Sequence, residues 1–552
     1  MRIGSGERKK RYNDMQLAFW DWLIIAVYAA LVITIGLRAA RRQNTAEGYF
    51  LAGRRLRWPF IGASLYAANI STEHLVGLAG WGATIGLAAG IYEWIAVFCL
   101  IPLIVLFLPF YLKNKIYTVP EFLERRFGSS VRLSFSAFML LLAVLVKISV
   151  SLWAAAVVLE GLLGWDRMAV IWCVGLVTAL YTLKGGLNAV VFTDAIQTGV
   201  LILAAVALTA IGLHEVGGYE ALRARLNDPE MFSMIKPATD PELPWPGVFI
   251  GVWLLGTFYF SMDQVLVQRV FAAKSLNEGQ LGATFCAFLK TLNPVIIVGP
   301  GLIAAALYPE LRKPELGDQA YPMLLKNLMP SGLLGLTIAG FMAALMGHLS
   351  ATYNSVATLV TRDFYLKLRP DAGQAQQIRI GRLAVLLVFV LGALWTPLIG
   401  QFGQLFKYLQ NVQAYLMIPF AGIFLFAVFW KRTNTPGVLA CMGTALLLCP
   451  TLMLNNQRHF LPFMNHPLLK PWLHGALLAG VVCTVVLVLV SRSTAAPPPE
   501  KLVNTTVEGL WGRGRDGAAT AMFAERVPLL RDYRLWLTIV SVGTAVLWYV
   551  MR

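Results

Sequence analysis

Residues 62–96 read GASLYAANISTEHLVGLAGWGATIGLAAGIYEWIA, and this stretch is the most informative part of the sequence for the fold. It lies inside a hydrophobic region long enough to cross a bilayer, yet it carries polar side chains such as Glu73 and Glu93. Such groups are costly at membrane depth and mark functional sites. The tripeptide NIS that begins at Asn69 lies between small residues, where a spanning helix can open and offer backbone groups to an ion and a polar solute. The stretch therefore predicts half of a binding site.

The composition predicts an all-α polytopic membrane protein. Of the 552 residues, 57% are hydrophobic and 14% are charged, whereas a soluble domain has roughly 45–50% apolar and about 25% charged residues. Residues 95–112 and 195–213 contain no charge, and each is long enough to span the hydrocarbon of a bilayer. Hydropathy predicts about fourteen transmembrane helices, at 17–37, 59–86, 90–112, 131–163, 167–183, 192–214, 245–271, 279–307, 332–366, 379–399, 405–430, 436–455, 471–491 and 534–550.

The charge distribution predicts orientation in the membrane rather than nucleic-acid binding. The formal net charge is +17, but Lys and Arg collect in short loops between apolar spans, as in the loop from Arg38 to Arg57. Basic loops of this kind lie in the cytoplasm. The sequence contains no Gly-rich phosphate loop, no His/Cys metal cluster and no Gly-x-Ser-x-Gly motif. We therefore expect a multi-pass protein of the plasma membrane that is not an enzyme and holds no cofactor.

Polar residues in several apolar segments have the chemistry that a neutral polyol requires. A site for hydroxyl groups needs acceptors, donors and an aromatic face. The residue types occur at Asn69, His74, Glu93, Lys290 and Gln410. The alternative is that Glu93 and Lys290 form a structural ion pair and that the other residues join helices. Residue types alone do not separate the two interpretations.

The segment AALMGHLSATYNS, residues 343–355, is rich in small and hydroxyl residues. Such a composition fits close helix packing or oxygen ligands for a small cation. His348 is unusual within it, because a lone intramembrane histidine is either a hydrogen-bonded packing residue or a group that is protonated near neutral pH.

Several stretches together resemble the sodium/solute symporter family, most closely its sodium/glucose cotransporter branch. They occur in the family's order and are FLAGRRLRWPFIGASLYAANISTEHLVGLAG (50–80), YEW (92–94), VKIS (146–149), KGGLNAVVFTDAIQ (184–197), DQVLVQRVFAAKS (263–275), FLK (288–290), NSVATLVTRDFY (354–365), YLQ (408–410) and FWKR (429–432). The resemblance implies a leucine-transporter-like fold with two five-helix inverted repeats and a substrate site between broken helices.

On this basis the chain divides into seven segments. They are an extra helix with a cytoplasmic basic loop (1–58), the first repeat (59–214), an extracellular loop (215–244), the second repeat (245–430), two extra helices (431–492), a cytoplasmic linker (493–531) and a C-terminal helix (532–552).

The resemblance also implies roles for individual residues. The family's sugar positions match Asn69, His74, Glu93, Lys290 and Gln410. Tyr259 resembles the tyrosine that covers the sugar from the inner side, and Phe406 resembles an outer gate residue. Two positions depart from the family, because Gly256 stands where a polar Asn or Thr occurs and Ala96 where a Ser occurs.

The cation position departs further from the family. The backbone carbonyls match Ala67 and Ile70 on one helix, and the opposite side matches Ala344, Gly347 and His348. Gly347 and His348 replace two serines. A protonated imidazole in that place carries the charge of a sodium ion, whereas a neutral imidazole is a poor partner for a hard cation. Asp194 resembles the acidic residue on the inner ion route, with a helix-end pair to a nearby Arg as its alternative.

These observations predict a secondary active transporter that brings a monosaccharide or similar polyol into the cell by alternating access. Its partners are the sugar, a coupling cation and the lipid bilayer, without nucleic acid, and no signal for an oligomeric state is present. Sodium is the favoured coupling ion. The alternatives are a proton-coupled or uncoupled sugar transporter in which His348 replaces the sodium site, and a sugar-responsive membrane sensor.

Overall fold

The computed structural model of the chain describes residues 17–40, 45–400, 405–458, 460–508 and 528–551. Half of the predicted linker and the first part of the predicted N-terminal segment lie outside these ranges. The described residues are almost entirely helical and contain no β-strand. The helices before the mid-chain loop are α1 (Phe19–Ala40), α2 (Ala46–Leu51), α3 (Trp58–Asn69), α4 (His74–Leu78 with Ala79–Ile85), α5 (Ile91–Ile101 with Pro102–Phe107 and Leu108–Lys113), α6 (Val119–Phe127), α7 (Ser129–Leu163) and α8 (Arg167–Val216).

The described residues after α8 form eleven further helices. They are α9 (Tyr219–Leu226), α10 (Gly247–Ser261), α11 (Gln264–Phe271), α12 (Leu276–Leu307), α13 (Ala320–Leu328), α14 (Leu333–Leu368), α15 (Gln374–Ile399), α16 (Leu405–Phe429), α17 (Thr435–Arg458), α18 (Trp472–Ser493) and α19 (Tyr533–Val550).

Eleven stretches among the described residues are long and apolar enough to cross a membrane, and the bent pair α10 and α11 makes a twelfth. The prediction of about fourteen spans is not confirmed, because neighbouring spans follow each other with only local breaks. Helix α8 interrupts its helical backbone at Gly186 alone (φ 55°, ψ −167°), and its first part, Arg167–Leu180, is short. Gly86 has a positive φ angle of 79° and separates α4 from the turn before α5. It also packs closely against the backbone of Met231, since a Cβ at Gly86 would lie 2.2 Å from the Met231 carbonyl oxygen.

Two helix breaks lie at the centre of the molecule. Helix α3 ends at Asn69 because Ile70 is extended (φ −82°, ψ 116°). Helices α10 and α11 meet at an angle of 48° around Asp263, whose carboxylate accepts the Val265 N–H at 2.9 Å and caps α11. The start of α3 is tied to the end of α11, since Leu56 N–H donates to the Ala272 carbonyl at 3.0 Å. The two broken segments therefore lie side by side, and the polar residues of both segments are buried at this place.

Candidate functional site

One buried cavity lies beside both helix breaks. It is bounded by the segment between α3 and α4, and by α5, α10, α12 and α16. Six of the seven residues predicted for solute binding line it, namely Asn69, His74, Glu93, Tyr259, Lys290 and Gln410. All six are at least nine-tenths buried. The structure therefore brings together side chains that are separated by more than three hundred positions in the sequence.

Glu93 is the centre of the polar network in this cavity. Lys290 Nζ donates to Glu93 Oε2 at 2.6 Å, and Asn293 Nδ2 donates to the same oxygen at 2.5 Å. Asn293 Oδ1 accepts the Tyr66 hydroxyl at 2.6 Å, which ties α3 to α12. His74 Nε2 lies 3.8 Å from Glu93 Oε1. Glu93 and Lys290 thus form an ion pair, one of the two interpretations open from the sequence, and both still face the cavity.

Two further acceptors in the cavity are buried without a hydrogen bond of normal geometry. Asn69 Oδ1 and Gln410 Oε1 have no such partner among the described residues. A buried polar atom without a partner costs free energy, so these atoms mark places where a ligand or water donates. The two positions that depart from the family, Ala96 and Gly256, also line the cavity. A Cβ at Gly256 would lie 2.5 Å from Cys99 Sγ, which explains why glycine stands there.

An aromatic cluster covers the cavity on one side. The Phe406 ring lies 5.4 Å from Trp81, 5.6 Å from Tyr92 and 6.0 Å from His74, measured between ring centroids. Phe406 approaches α4 at Gly77, where a Cβ would lie 2.8 Å from the Phe406 Cβ. Phe406 is therefore next to His74 and Tyr92, which line the cavity, without being one of the lining residues itself, and its gate role stays a prediction.

Asp318 holds the start of the helix that carries Phe406. Asp318 Oδ2 accepts the Leu405 N–H at 3.0 Å, and Leu405 directly precedes Phe406. Burial raises the pKa of Asp318 to about 6, although the Leu405 N–H acts in the opposite direction. The aromatic cover is thus anchored by a carboxyl group outside the membrane-spanning segments.

A second ion pair lies next to Tyr259, which lines the cavity. Lys147 on α7 is bonded to Asp263 at the α10–α11 break, and both are buried. Lys147 Nζ lies 5.3 Å from the centroid of the Tyr259 ring, a cation–π distance. Sequence reasoning singled out both segments as polar but missed their pairing. The only feature of the sequence that could have predicted the pair is the presence of opposite charges, Lys147 and Asp263, in two separate apolar spans.

The predicted cation position lies where α3 meets α14. Gly347 approaches α3 so closely that a Cβ would lie 3.5 Å from the Ala67 carbonyl oxygen. His348 Nδ1 is bonded to the carbonyl oxygen of Ala68 at 2.6 Å, and its Nε2 has no partner among the described residues. The two remaining residues of the predicted cation position are also buried, Ile70 directly after α3 and Ala344 on α14, one turn before Gly347. The imidazole, and not a hydroxyl group, engages the open end of α3.

Asp194 lies inside α8 rather than at a helix end. Its Oδ2 accepts the Ser64 hydroxyl at 2.5 Å and lies 4.0 Å from Arg269 Nη2. Its Oδ1 is buried without a partner among the described residues. The nearby arginine of the alternative interpretation is present, and the role of Asp194 on an ion route stays a prediction.

Comparisons with known proteins agree with this geometry. Residues 49–444 match the model of the "Sodium:solute symporter family". The chain is 34% identical over 528 residues to sodium/glucose cotransporter 4 of Danio rerio, covering 88% of this chain and 80% of that protein. It is 38% identical over 471 residues to sodium/glucose cotransporter 2 of Rattus norvegicus (78% and 70%), and 34% identical over 525 residues to sodium/myo-inositol cotransporter 2 of Homo sapiens (88% and 78%).

A solved structure shares the fold. The chain superposes on a Na⁺-coupled sialic acid symporter in a substrate-bound outward-open state with a TM-score of 0.75 and 21% sequence identity, covering 87% of this chain and 99% of the other. The expected transporter fold is therefore confirmed at the level of a helical membrane symporter.

Proposed function

The chain belongs to the sodium:solute symporter family, and we propose that it carries a monosaccharide or a similar polyol into the cell together with sodium. The observation that supports this solute class is the mixture of polar groups on one cavity. Glu93 accepts hydrogen bonds from Lys290 and Asn293, and the acceptors Asn69 Oδ1 and Gln410 Oε1 face the same cavity without a hydrogen bond of normal geometry among the described residues. A polyol presents hydroxyl groups that both donate and accept, so it satisfies donors and acceptors together.

The relatives support the same solute class. They include sodium/glucose and sodium/myo-inositol cotransporters, whose named solutes are a sugar and a polyol. The altered contacts at Ala96 and Gly256 favour a hydroxyl pattern of the solute that differs from that of the relatives.

We propose that transport proceeds by alternating access between two five-helix repeats, with the cavity at their interface. Solute enters past Phe406 and makes hydrogen bonds with Asn69, His74, Glu93, Lys290 and Gln410. Movement of Tyr259 then opens the inner side. In this scheme sodium binds near the open end of α3 and leaves inward along Asp194. The energetic coupling arises because each ligand raises the affinity of the protein for the other.

Uptake by purified protein in proteoliposomes tests the proposal. We expect uptake of radiolabelled D-glucose or myo-inositol to depend on an inward sodium gradient and to fall when choline replaces sodium. The variant Gln410→Ala should raise the half-saturating solute concentration up to about tenfold, the loss of one hydrogen bond. The matched control is Gln376→Ala, which changes an exposed side chain on α15. Uptake that is independent of sodium, or unchanged in the Gln410 variant, would contradict the proposal.

A further inference from the structure

Glu73 is a buried carboxylate that none of the roles above uses. It lies on the segment between α3 and α4, is 3% exposed, and lines the same cavity as Asn69. Its Oε2 accepts the Ser151 hydroxyl of α7 at 2.8 Å. The neighbouring Thr72 hydroxyl donates to the Ser151 carbonyl at 2.8 Å. These contacts hold the carboxylate in a fixed place at the helix break.

The charge of Glu73 is not balanced by a salt bridge. Among the described residues, Glu93 is paired with Lys290 and Asp263 with Lys147, whereas no Lys, Arg or His nitrogen lies within 4.0 Å of the Glu73 carboxylate. A buried charge without a counter-charge is strongly unfavourable. His348 and His74 act on the Glu73 carboxylate from beyond salt-bridge distance, so a cation bound directly to its oxygens would add a closer counter-charge.

The cation position known from the family resemblance is changed in this chain. His348 Nδ1 already engages the Ala68 carbonyl at 2.6 Å, and Gly347 supplies no hydroxyl group. An imidazole is a poor ligand for a hard monovalent cation, which prefers oxygen. Sodium at this point would have to share the end of α3 with the histidine ring.

Oxygen atoms beside Glu73 have the chemistry that the neighbouring position lacks. Ser71 Oγ, fully buried, lies beside the Glu73 carboxylate, and Asn69 Oδ1 faces the same cavity. Neither atom has a hydrogen bond of normal geometry among the described residues. We propose that the Glu73 carboxylate and Ser71 Oγ bind the coupling sodium ion together with Asn69 Oδ1, whose second lone pair stays available to a hydroxyl group of the solute. This inference rests on the proposed sodium symport and moves its ion site to the broken segment itself.

The position explains how cation and solute are coupled. Asn69 and His74, which face the solute, flank Ser71 and Glu73 within six consecutive residues. An ion bound to Glu73 fixes the backbone of this segment and so orders both solute contacts. By linkage, the solute raises the affinity for sodium by the same factor.

Binding of ²²Na⁺ to the purified full-length protein, measured by scintillation proximity, tests the site without any solute. We expect Glu73→Gln, which keeps the shape and removes the charge, to weaken sodium binding at least tenfold. Ser71→Ala should weaken it severalfold, and it decides the question if the Glu73 variant does not fold. The matched control is Glu160→Gln, since Glu160 is a half-exposed carboxylate on α7 that pairs with Arg167.

Two results would overturn the inference. One is wild-type sodium affinity in Glu73→Gln and Ser71→Ala. The other is recovery of sodium binding by Glu73→Gln when His348→Ser is added, which would return the ion to the position beside Gly347. If the wild-type protein takes up glucose or myo-inositol with sodium while Glu73→Gln binds sodium normally, only the Glu73 site is refuted. If Glu73→Gln loses sodium binding but the wild-type protein transports no member of a panel of monosaccharides and polyols that includes glucose and myo-inositol, only the solute class is refuted.

Discussion

The ion pair between Glu93 and Lys290 supports a prediction that separates a structural role from a solute-binding role. Both side chains are 2% exposed, and their nitrogen and oxygen lie 2.6 Å apart. Removing one partner of a buried pair costs about 3–5 kcal/mol, because the other charge stays buried without a partner. We therefore expect Glu93→Gln and Lys290→Met each to destabilise the protein by about that amount. Replacing both charges removes the penalty, so the double variant should regain most of the stability.

Uptake should follow a different pattern from stability. A hydrogen bond to a charged group contributes about 1.5–3 kcal/mol, so a lost charged contact with the solute lowers affinity roughly 10- to 150-fold. If Glu93 and Lys290 contact the solute, the double variant is stable but takes up glucose or myo-inositol with this loss. If the pair only joins α5 to α12, the double variant regains uptake together with stability.

The assay combines thermal unfolding in detergent with sodium-driven uptake in proteoliposomes. The matched control is the exposed pair Glu160 and Arg167, whose side chains are both more than 40% exposed. Exposed pairs contribute about 0–1 kcal/mol, so its double variant should leave both measurements almost unchanged. Wild-type uptake by the stable double variant of Glu93 and Lys290 would refute a role of the pair in solute binding.

Three further predictions concern the cover, the packing and the pH response. Phe406→Ala should lower the steady-state accumulation of solute, because the aromatic cover leaks; unchanged accumulation would contradict its gate role. Gly301→Ala should prevent normal folding, because its Cβ would lie 2.0 Å from a backbone carbonyl oxygen, whereas Gly199→Ala, with nothing within 4 Å, should fold normally; size-exclusion chromatography after purification checks both. Because the pKa of Asp318 rises from 3.8 to about 6, the folded protein holds this proton more tightly than the unfolded chain. Stability should therefore fall as pH rises from about 4 to about 6, and Asp318→Asn should lose this part of the pH dependence of thermal unfolding.

The sequence was sufficient to predict the helix break and to name six of the residues that line the cavity. A polar NIS tripeptide at Asn69 between small residues is incompatible with an ordinary lipid-facing helix, and the structure breaks at that point. The family resemblance supplied Lys290 and Gln410, because their short motifs kept the family's order. The position of Lys147 in an apolar segment showed that its charge is costly to bury. It did not show that Asp263 is the partner that stabilises this charge.

Other features required the three-dimensional structure because they depend on distant contacts. Lys147 and Asp263 are 116 positions apart, and Asn293 lies 200 positions from Glu93. No periodicity in one sequence reports such pairs. The predicted number of spans is not confirmed, and one difference is that Gly186 alone interrupts α8 where hydropathy predicted a loop between residues 183 and 192. Glu73 was not among the predicted site residues, because the sequence does not show that Glu93 has a salt bridge whereas Glu73 has none within 4.0 Å among the described residues.

The contacts fall into two groups with different mechanical consequences. The network of Glu93, Lys290, Asn293 and Tyr66 joins α3, α5 and α12 around the cavity. The broken segment after α3 has other partners, because Glu73 accepts the Ser151 hydroxyl of α7 and the Ala68 carbonyl is bonded to His348 of α14. In the proposed scheme an ion at Glu73 therefore acts where the broken segment meets α7, and not within the network around Glu93. The scheme predicts that changes in the Glu93 network alter solute affinity, whereas changes at Glu73 alter ion coupling.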